Sequence, residues 1–206
     1  TIEPIDPIRY ISNYSSGKQG YEIAKQLSIN GAKVILISGP TNLEQPSGVK
    51  TIFIKTAKEM NNQVLKNLKN TNVAVFAAAV SDIKVKKISL NKIKKDKINN
   101  IQFIKNPDIL KNSNLKKKLR PDLIIGFAAE TKNLISNAKN KMLDKGCDWI
   151  VANKIDNKNR IFGSDYNKIV FIKKNKIIQF KKTTKTKIAI NLVNEITNHI
   201  SKVKKI

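Results

Sequence analysis

The sequence contains only one cysteine and one histidine among its 206 residues. A single cysteine excludes an internal disulfide, and we therefore expect the chain to work in a reducing compartment, the cytoplasm. One histidine and one cysteine also leave no evident catalytic triad. We interpret Cys147 and His199 as structural or incidental residues.

Long apolar runs are also missing from the sequence. No run approaches the ~18 consecutive apolar residues that a helix needs to cross a bilayer, and the first residues lack the pattern of a signal peptide. We therefore expect no membrane partner. Apolar residues still make up 40% of the chain, which is enough to bury the core of one domain over residues 1–206.

Acidic residues are scarce, because 15 of them stand against 40 basic residues and give a formal net charge of +25. Such a balance is typical of proteins that bind nucleic acids, anionic membranes or anionic ligands. A nucleic-acid-binding module is the alternative function, but it would carry a concentrated basic face with interleaved aromatic residues. Here the lysines are spread along the chain and aromatic residues make up 6%. We attribute about two-thirds of the excess charge to solvated surfaces and expect no nucleic-acid partner.

Glycine is infrequent, and no G-x-G-x-x-G phosphate loop follows a predicted strand. The segment SSGKQG, residues 15–20, does not match that pattern and follows a polar loop. This argues against an oxidoreductase of the Rossmann type. Residues 1–20 combine an acid, two X-Pro turns, Arg9, Asn13 and a serine pair, and we interpret them as a ligand-binding loop that leads into a helix.

Apolar strands alternate with helical patterns along the rest of the sequence. This order predicts an α/β fold, a Rossmann-like, doubly wound and mostly parallel sheet with helices on both faces, plus a C-terminal β-hairpin. A lysine-rich stretch at about 83–100 has few apolar anchors and predicts a mobile flap. Predicted helices cover 17–30, 132–145 and a C-terminal stretch around 188–200, and two more begin at 56 and 106. Predicted strands cover 34–38, 51–54, 73–79, 123–127 and 149–152, and the hairpin covers 168–172 and 177–180.

Ligands of doubly wound sheets bind outside the carboxyl ends of the strands. The polar residues that follow the predicted strands are therefore the candidates for a binding site. They are residues 38–40, 78–82, 128–131 and Asn153.

Six motifs, in this order, carry a resemblance to a known family. They are RYISNYSSGKQG, AAAVSD, NKIKK, KNPDIL, RPDLIIGFAAET and KGCDWIVANK. Together they resemble bacterial phosphopantothenoylcysteine synthetase, the CTP-dependent phosphopantothenate–cysteine ligase of coenzyme A biosynthesis. The resemblance covers nearly the whole chain, and six motifs in order are far more specific than any one of them.

The resemblance implies a ligation in two steps. The carboxylate of 4'-phosphopantothenate attacks the α-phosphate of CTP, pyrophosphate leaves and an acyl-cytidylate forms. The amine of L-cysteine then attacks the acyl carbon, CMP leaves and 4'-phospho-N-pantothenoylcysteine is formed. Fixed cations and Mg²⁺ would neutralise the anionic reactants, and positioning would hold them in line. The resemblance implies no flavin in this part of the chain.

Three residues take catalytic roles by the same resemblance. Asn13 is expected to hold the pantothenate part of the acyl-cytidylate, with Arg9 nearby, since an amide can donate and accept hydrogen bonds at once. Lys92 is expected to reach the triphosphate from the flap. The alternatives are an asparagine that stabilises its loop and a lysine that is merely solvated.

Nucleotide-binding residues are also implied by the resemblance. Asp82 is expected to meet the base, the ribose or the metal. The alternatives to nucleotide binding are close helix packing for Ala78 and Ala79, a helix cap at 106–108 and a core position for Phe127. The expected set is Ala78, Ala79, Asp82, Lys92, Pro107, Asp108, Ile109, Leu110, Phe127, Lys141 and Lys145.

Two departures from the family pattern bear on activity. Family members usually carry an apolar strand and a glycine turn before the motif TxEPIDP, which is at residues 1–7 here. Without that strand its neighbours in the sheet would lose backbone partners, and an inactive fragment is a further alternative. Ser81 stands where the family more often has alanine, a tolerable change in size. The family implies a homodimer and, in many bacteria, fusion to a flavin-dependent decarboxylase.

Overall fold

The computed structural model describes residues 1–115, 117–155 and 165–203. The helices are α1 (Lys18–Ile29), α2 (Ala57–Asn67), α3 (Ile109–Leu115), α4 (Leu134–Lys145) and α5 (Lys185–Val203). The strands are β1 (Ile2–Asp6), β2 (Arg9–Ser12), β3 (Val34–Ser38), β4 (Val49–Phe53), β5 (Val73–Phe76), β6 (Ile83–Val85), β7 (Phe103–Lys105), β8 (Leu123–Glu130), β9 (Trp149–Lys154), β10 (Tyr166–Asn167), β11 (Ile169–Lys173), β12 (Lys176–Gln179) and β13 (Thr183–Thr184).

A five-stranded sheet with the order β12-β11-β9-β8-β5 forms the centre of the fold. Strands β5, β8 and β9 are parallel, whereas β11 is antiparallel to both β9 and β12. The predicted C-terminal hairpin is confirmed as β11–β12. Continuous apolar runs form β8, β9 and β11 because helices cover both faces of the sheet there.

The side chains of β8 show how the two faces are filled. Leu123 and Ile125 are buried on the face covered by α1 and α5, in a cluster with Trp149 and Phe171. Ile124 is buried on the opposite face, which α3 and α4 cover. The predicted doubly wound α/β class is therefore confirmed.

Strands β3 and β4 form a separate parallel pair. Residues of β3, β4 and β5 pack on one apolar cluster with Met60, but no backbone ladder joins β3 to β5 in the described part of the chain. Thr1 lies between the loops that follow β3 and β5. Its amino group donates to the Ala79 carbonyl at 3.2 Å, and a Cβ placed on Gly39 would lie 3.4 Å from the same nitrogen.

Local signals place the ends of several helices. Thr56 caps α2, since its hydroxyl accepts the Glu59 N–H at 3.2 Å, and Glu59 in turn accepts the Lys55 N–H at 2.9 Å. This capping box was predicted from the sequence. A serine was expected to cap α1, but the cap position is Gly17 at φ +74°, with no side-chain cap bond. Gly146 ends α4 at φ +65°, as predicted.

Three predicted segments differ from the structure. The polar loop of residues 1–20 contains the hairpin β1–β2, with a register shift between Pro4 and Asp6. The strand predicted at 73–79 ends at Phe76, where the chain leaves the ladder with β8. The flap at about 83–100 begins as β6, which pairs with β7 beyond it, and ends in a short 3₁₀ helix, Lys95–Asn100. Tertiary pairing of separated segments explains the two added hairpins.

Candidate functional site

The residues after β2 and after β5 meet at the carboxyl end of the sheet. Asn13 follows β2, and its side-chain amide donates to the Val80 carbonyl at 3.0 Å. The Ser81 N–H lies 3.4 Å from the Thr1 hydroxyl, which adds a weak contact to the same loop. The structure therefore brings Asn13 against the segment 77–82, as the predicted site requires.

Asn106 joins this segment to the start of α3. Its side-chain amide donates to the Ser81 carbonyl at 2.9 Å, and its backbone N–H donates to the Asp82 carbonyl at 2.9 Å. Asn106 was expected to cap the helix, but Asp108 does so, because its carboxylate accepts the Lys111 N–H at 3.0 Å. Pro107 and Asp108 are thus held beside the loop that carries Ala78, Ala79 and Asp82.

Lys145 reaches this group from the end of α4. Its Nζ atom lies 2.5 Å from Asp108 Oδ2 and 3.2 Å from Asp144 Oδ2. The hydrogen bond to Asp108, above all, raises the pKa of Lys145 above its ordinary value. The ammonium group is therefore charged at neutral pH, and a phosphate would have to compete with these carboxylates for it.

Asp82 and Lys92 are exposed, and their side chains make no hydrogen bond to the described residues. Both are therefore available to a ligand. Over residues 1–115, 117–155 and 165–203 no group of three or more His, Cys, Asp and Glu side chains could hold a metal ion. One free carboxylate still fits Mg²⁺, which proteins commonly hold through one or two carboxylates together with substrate phosphates.

Arg9 is committed to protein contacts. Its guanidinium forms an ion pair with Asp6 and donates from Nη2 to the Ile93 carbonyl at 2.7 Å. The Arg9 hydrogen bond holds the pKa of Asp6 far below its ordinary value. None of these bonds uses Nη1, so a ligand could still accept from that nitrogen.

Phe127 and helix α4, which carries Lys141, lie on opposite faces of the central sheet. Phe127 packs with Leu123 and Ile125 on the face covered by α1 and α5. Helix α4, which carries Lys141 and Lys145, covers the other face. The position of Phe127 agrees with the alternative reading as a core residue, and its role toward a nucleotide stays a prediction. Lys141 is half-buried and makes no hydrogen bond to a described residue.

Ile109 and Leu110, both expected along the nucleotide, contribute to packing. Ile109 is buried with Ile54 and Met60. Leu110 packs on the α4 face, where a Cβ on Gly126 would lie 3.1 Å from its side chain. Only their backbone groups at the start of α3 could meet a ligand without unpacking the core.

Two residues that organise the site were missed as functional candidates. No prediction from the sequence names Asp6, and Asn106 is predicted only as part of a helix cap. A signal for Asp6 exists in the sequence, since an aspartate before proline favours a turn in which the carboxylate accepts following N–H groups. Nothing in the sequence indicates that it also reaches Ile93.

A concavity of about 390 Å³ lies elsewhere, at the start of α4. It is lined by Asn133, Leu134, Ile135, Ser136, Lys154, Lys168, Val170 and Gln179, none of which was predicted as a site residue.

Among the described helices, none has the length and apolar character needed to span a membrane.

Comparisons with known proteins identify chains that are similar in sequence and fold. The chain is 44% identical to the Coenzyme A biosynthesis bifunctional protein CoaBC of Borreliella burgdorferi over 192 residues, which is 92% of this chain and 48% of that protein. It is 40% identical to the protein of the same name from Haemophilus influenzae over 204 residues, 98% of this chain and 50% of that one. The chain thus spans about half the length of these relatives.

A solved structure supports the same relationship. The crystal structure of the C-terminal domain of a Coenzyme A biosynthesis bifunctional protein CoaBC matches with a TM-score of 0.83 at 33% identity, covering 98% of this chain and 92% of that one. Residues 1–200 also match the sequence model of one family. The chain belongs to that family, the DNA/pantothenate metabolism flavoprotein C-terminal domain.

Proposed function

We propose that this chain is the phosphopantothenate–cysteine ligase part of coenzyme A biosynthesis. It would join 4'-phosphopantothenate to L-cysteine through an acyl-cytidylate made from CTP, with release of pyrophosphate and CMP. The observation that carries the proposal is the contact of Asn13 with the segment 77–82, in a chain whose relatives are named for coenzyme A biosynthesis.

Charge is the main obstacle in the first step, because a carboxylate must attack an α-phosphate inside an anionic triphosphate. Lys92 offers an exposed ammonium group in the flap. Lys145 offers a second, which Asp108 already holds in place. Fixed cations of this kind stabilise charge that develops in the transition state without reorganising during the reaction.

Mg²⁺ would be held by the Asp82 carboxylate and by the phosphates of CTP. When bound, it would supply charge neutralisation on the triphosphate. The segment 77–82 offers small side chains at Ala78 and Ala79, which leave room for a base or ribose. Asn13 would hold the pantothenate amide chain by donating and accepting at once.

A second copy of the chain is the proposed partner. The hairpins β1–β2 and β6–β7 lie side by side. They expose Ile8, Tyr10, Ile83, Phe103 and Ile104, each at least 40% accessible. Apolar side chains exposed together on neighbouring hairpins are typical of an interface between subunits.

Fusion to a flavin-dependent decarboxylase, as the lengths of the relatives allow, is the proposed context of the whole protein.

Two substitutions separate the two steps of the reaction. Lys92→Gln should slow pyrophosphate release by about tenfold or more, because it removes phosphate charge stabilisation. Asn13→Ala should let the acyl-cytidylate form but slow its reaction with cysteine. Rapid quench of reactions with CTP, Mg²⁺ and 4'-phosphopantothenate, followed by mass spectrometry, measures both species.

Lys87→Gln is the matched control, since Lys87 is another exposed flap lysine. It should leave both rates within about twofold of the wild type. Turnover by Asn13→Ala at the wild-type rate would contradict the role given to Asn13. Equal losses of rate for Lys87→Gln and Lys92→Gln would indicate that the overall positive charge of the flap, and not a specific contact of Lys92, accelerates the reaction.

A further inference from the structure

We propose that Asp6 is a positioning residue: together with Arg9 it clamps the peptide groups of Ile93 and so fixes the adjacent Lys92 of the flap. The clamp is a feature of the described structure and stands without the ligase activity. What Lys92 does once it is fixed rests on the proposed function.

Both backbone groups of Ile93 are held by this pair. The Ile93 N–H donates to Asp6 Oδ2 at 3.1 Å, and the Ile93 carbonyl accepts from Arg9 Nη2 at 2.7 Å. Two opposed hydrogen bonds to one residue fix its orientation as well as its position. They replace the two bonds that a neighbouring strand would make to the same residue.

The Asp6 carboxylate is built for this task. Its side chain is fully buried, whereas that of Arg9 is 29% exposed. Oδ1 accepts the N–H groups of Ile8 and Arg9, each at 3.0 Å. Oδ2 accepts from the Arg9 guanidinium and from Ile93. A buried carboxylate must keep all of its hydrogen-bond partners. The flap supplies one of them, the Ile93 N–H, so the buried charge favours the state in which the flap is in place.

A second contact pins the other end of the same short stretch. The Ser89 N–H donates to the Ile5 carbonyl at 3.0 Å, next to Asp6 on β1. Between the two attachments Leu90 is 91% exposed, so burial of its side chain does not hold the flap here. The attachment of residues 89–93 therefore depends on hydrogen bonds, and the charged one at Ile93 is the stronger kind.

The clamp also joins the flap to the loop that carries Asn13. Asp6 orders the turn between β1 and β2 through Ile8 and Arg9, and β2 leads directly to Asn13. One buried side chain therefore sets the relative placement of Lys92 and Asn13. Without Asp6 the flap would be untethered, and Lys92 would lose side-chain and backbone entropy each time it binds a phosphate.

Amide hydrogen exchange of the full chain tests the clamp directly. In Asp6→Asn the amides of Ser89 and Ile93 should exchange about tenfold faster or more, because a charge-assisted bond is replaced by a weaker one. Amides of β8 should keep their protection, which separates local release from global unfolding. Asp96→Asn is the matched control, since Asp96 is an exposed flap acid, and it should leave exchange at Ile93 unchanged.

Unchanged exchange at Ile93 in a folded Asp6→Asn variant would overturn the proposal. If that variant does not fold, Asp6→Glu keeps the charge but displaces it by one methylene group. Exchange at Ile93 should then rise to an intermediate rate, and wild-type protection in Asp6→Glu would overturn the clamp in the same way.

A double-substitution cycle tests whether Asp6 acts through Lys92. Asp6→Asn and Lys92→Gln should each slow pyrophosphate release, and the double variant should be no slower than Lys92→Gln alone. Fully additive losses would overturn the positioning role. Absence of pyrophosphate release in the wild type would reject the proposed ligase, while the exchange experiment would still decide the clamp.

Discussion

Some side chains next to the proposed site hold backbone segments, and others are free for a ligand. Asn13, Asn106 and Asp6 each bond to the backbone of another segment, over separations of 67, 25 and 87 residues. Asp82 and Lys92 have no such task in the described structure. Loss of Asn106 or Asp6 should therefore disturb the placement of several segments, whereas loss of Asp82 or Lys92 should change ligand contacts alone.

Cys147 provides a test of burial at the scale of one residue. The residue is 7% exposed, and burial raises the pKa of its thiol above the ordinary value. A raised pKa leaves less thiolate at pH 8, and burial blocks access, so alkylation should be about a hundredfold slower in the folded chain than in urea. Iodoacetamide labelling followed by mass spectrometry measures both rates. Equal rates would contradict the buried position.

At the scale of helices and strands, two glycines differ in whether the backbone conformation requires glycine. Gly146 ends α4 at φ +65°, and a Cβ there would lie 2.0 Å from the Asn114 side-chain nitrogen. Gly20 lies inside α1, and a Cβ there would meet nothing within 4 Å. The two glycines therefore predict opposite effects of the same substitution.

Gly146→Ala should lower the free energy of unfolding by about 1–2 kcal/mol, because alanine is strained in the left-handed region and Asn114 must move. Gly20→Ala should raise it by about 0.5–1 kcal/mol, because alanine lowers the entropy of the unfolded chain. Urea unfolding followed by circular dichroism measures both. The same sign for both substitutions would contradict the assigned backbone conformations.

Lys185 is the first residue of α5 and is buried. Its side chain makes no hydrogen bond or ion pair in the described structure. Burial lowers its pKa below the ordinary value, and the neighbouring Lys18 adds to the effect. Because the folded pKa is lowered, the charged form destabilises the folded state at neutral pH. This penalty fades as the pH rises through the folded pKa toward the unfolded value of about 10.4.

Lys185→Met should therefore raise the melting temperature at pH 7 by about 2 °C or more, and the gain should shrink as the pH approaches about 10. Lys187→Met is the control, since Lys187 is exposed in the same turn and should have little effect. Thermal scans at several pH values measure the difference. A lower melting temperature for Lys185→Met would indicate that Lys185 has a stabilising partner.

At the scale of the whole molecule, the sequence predicts the parallel strands and their helices well. The strand predicted at 34–38 is β3, Val34–Ser38, because a continuous apolar run leaves a clear signal in the sequence. The hairpins β1–β2 and β6–β7 were missed. Prolines interrupt the first of them, and the second pairs residues about 20 positions apart, which local patterns do not encode.

The resemblance of the motifs predicts which residues form the candidate site, but it does not predict what their side chains contact. Motif position cannot show that the Arg9 guanidinium is bonded to Asp6 and Ile93. Nor can it show that Phe127 lies on the face of the sheet opposite to α4, the helix that carries Lys145. Both depend on which face each side chain occupies after folding, and a one-residue change in register reverses that face.

The most direct test of the central claim is the fate of the acyl-cytidylate in the wild-type chain. The chain would be incubated with CTP, Mg²⁺ and 4'-phosphopantothenate, with and without L-cysteine, and followed by pyrophosphate release and mass spectrometry. We predict that an acyl-cytidylate accumulates without cysteine and is converted to 4'-phospho-N-pantothenoylcysteine and CMP when cysteine is added. A cooperatively folded chain that releases no pyrophosphate under either condition would contradict the proposal that this chain is an active ligase.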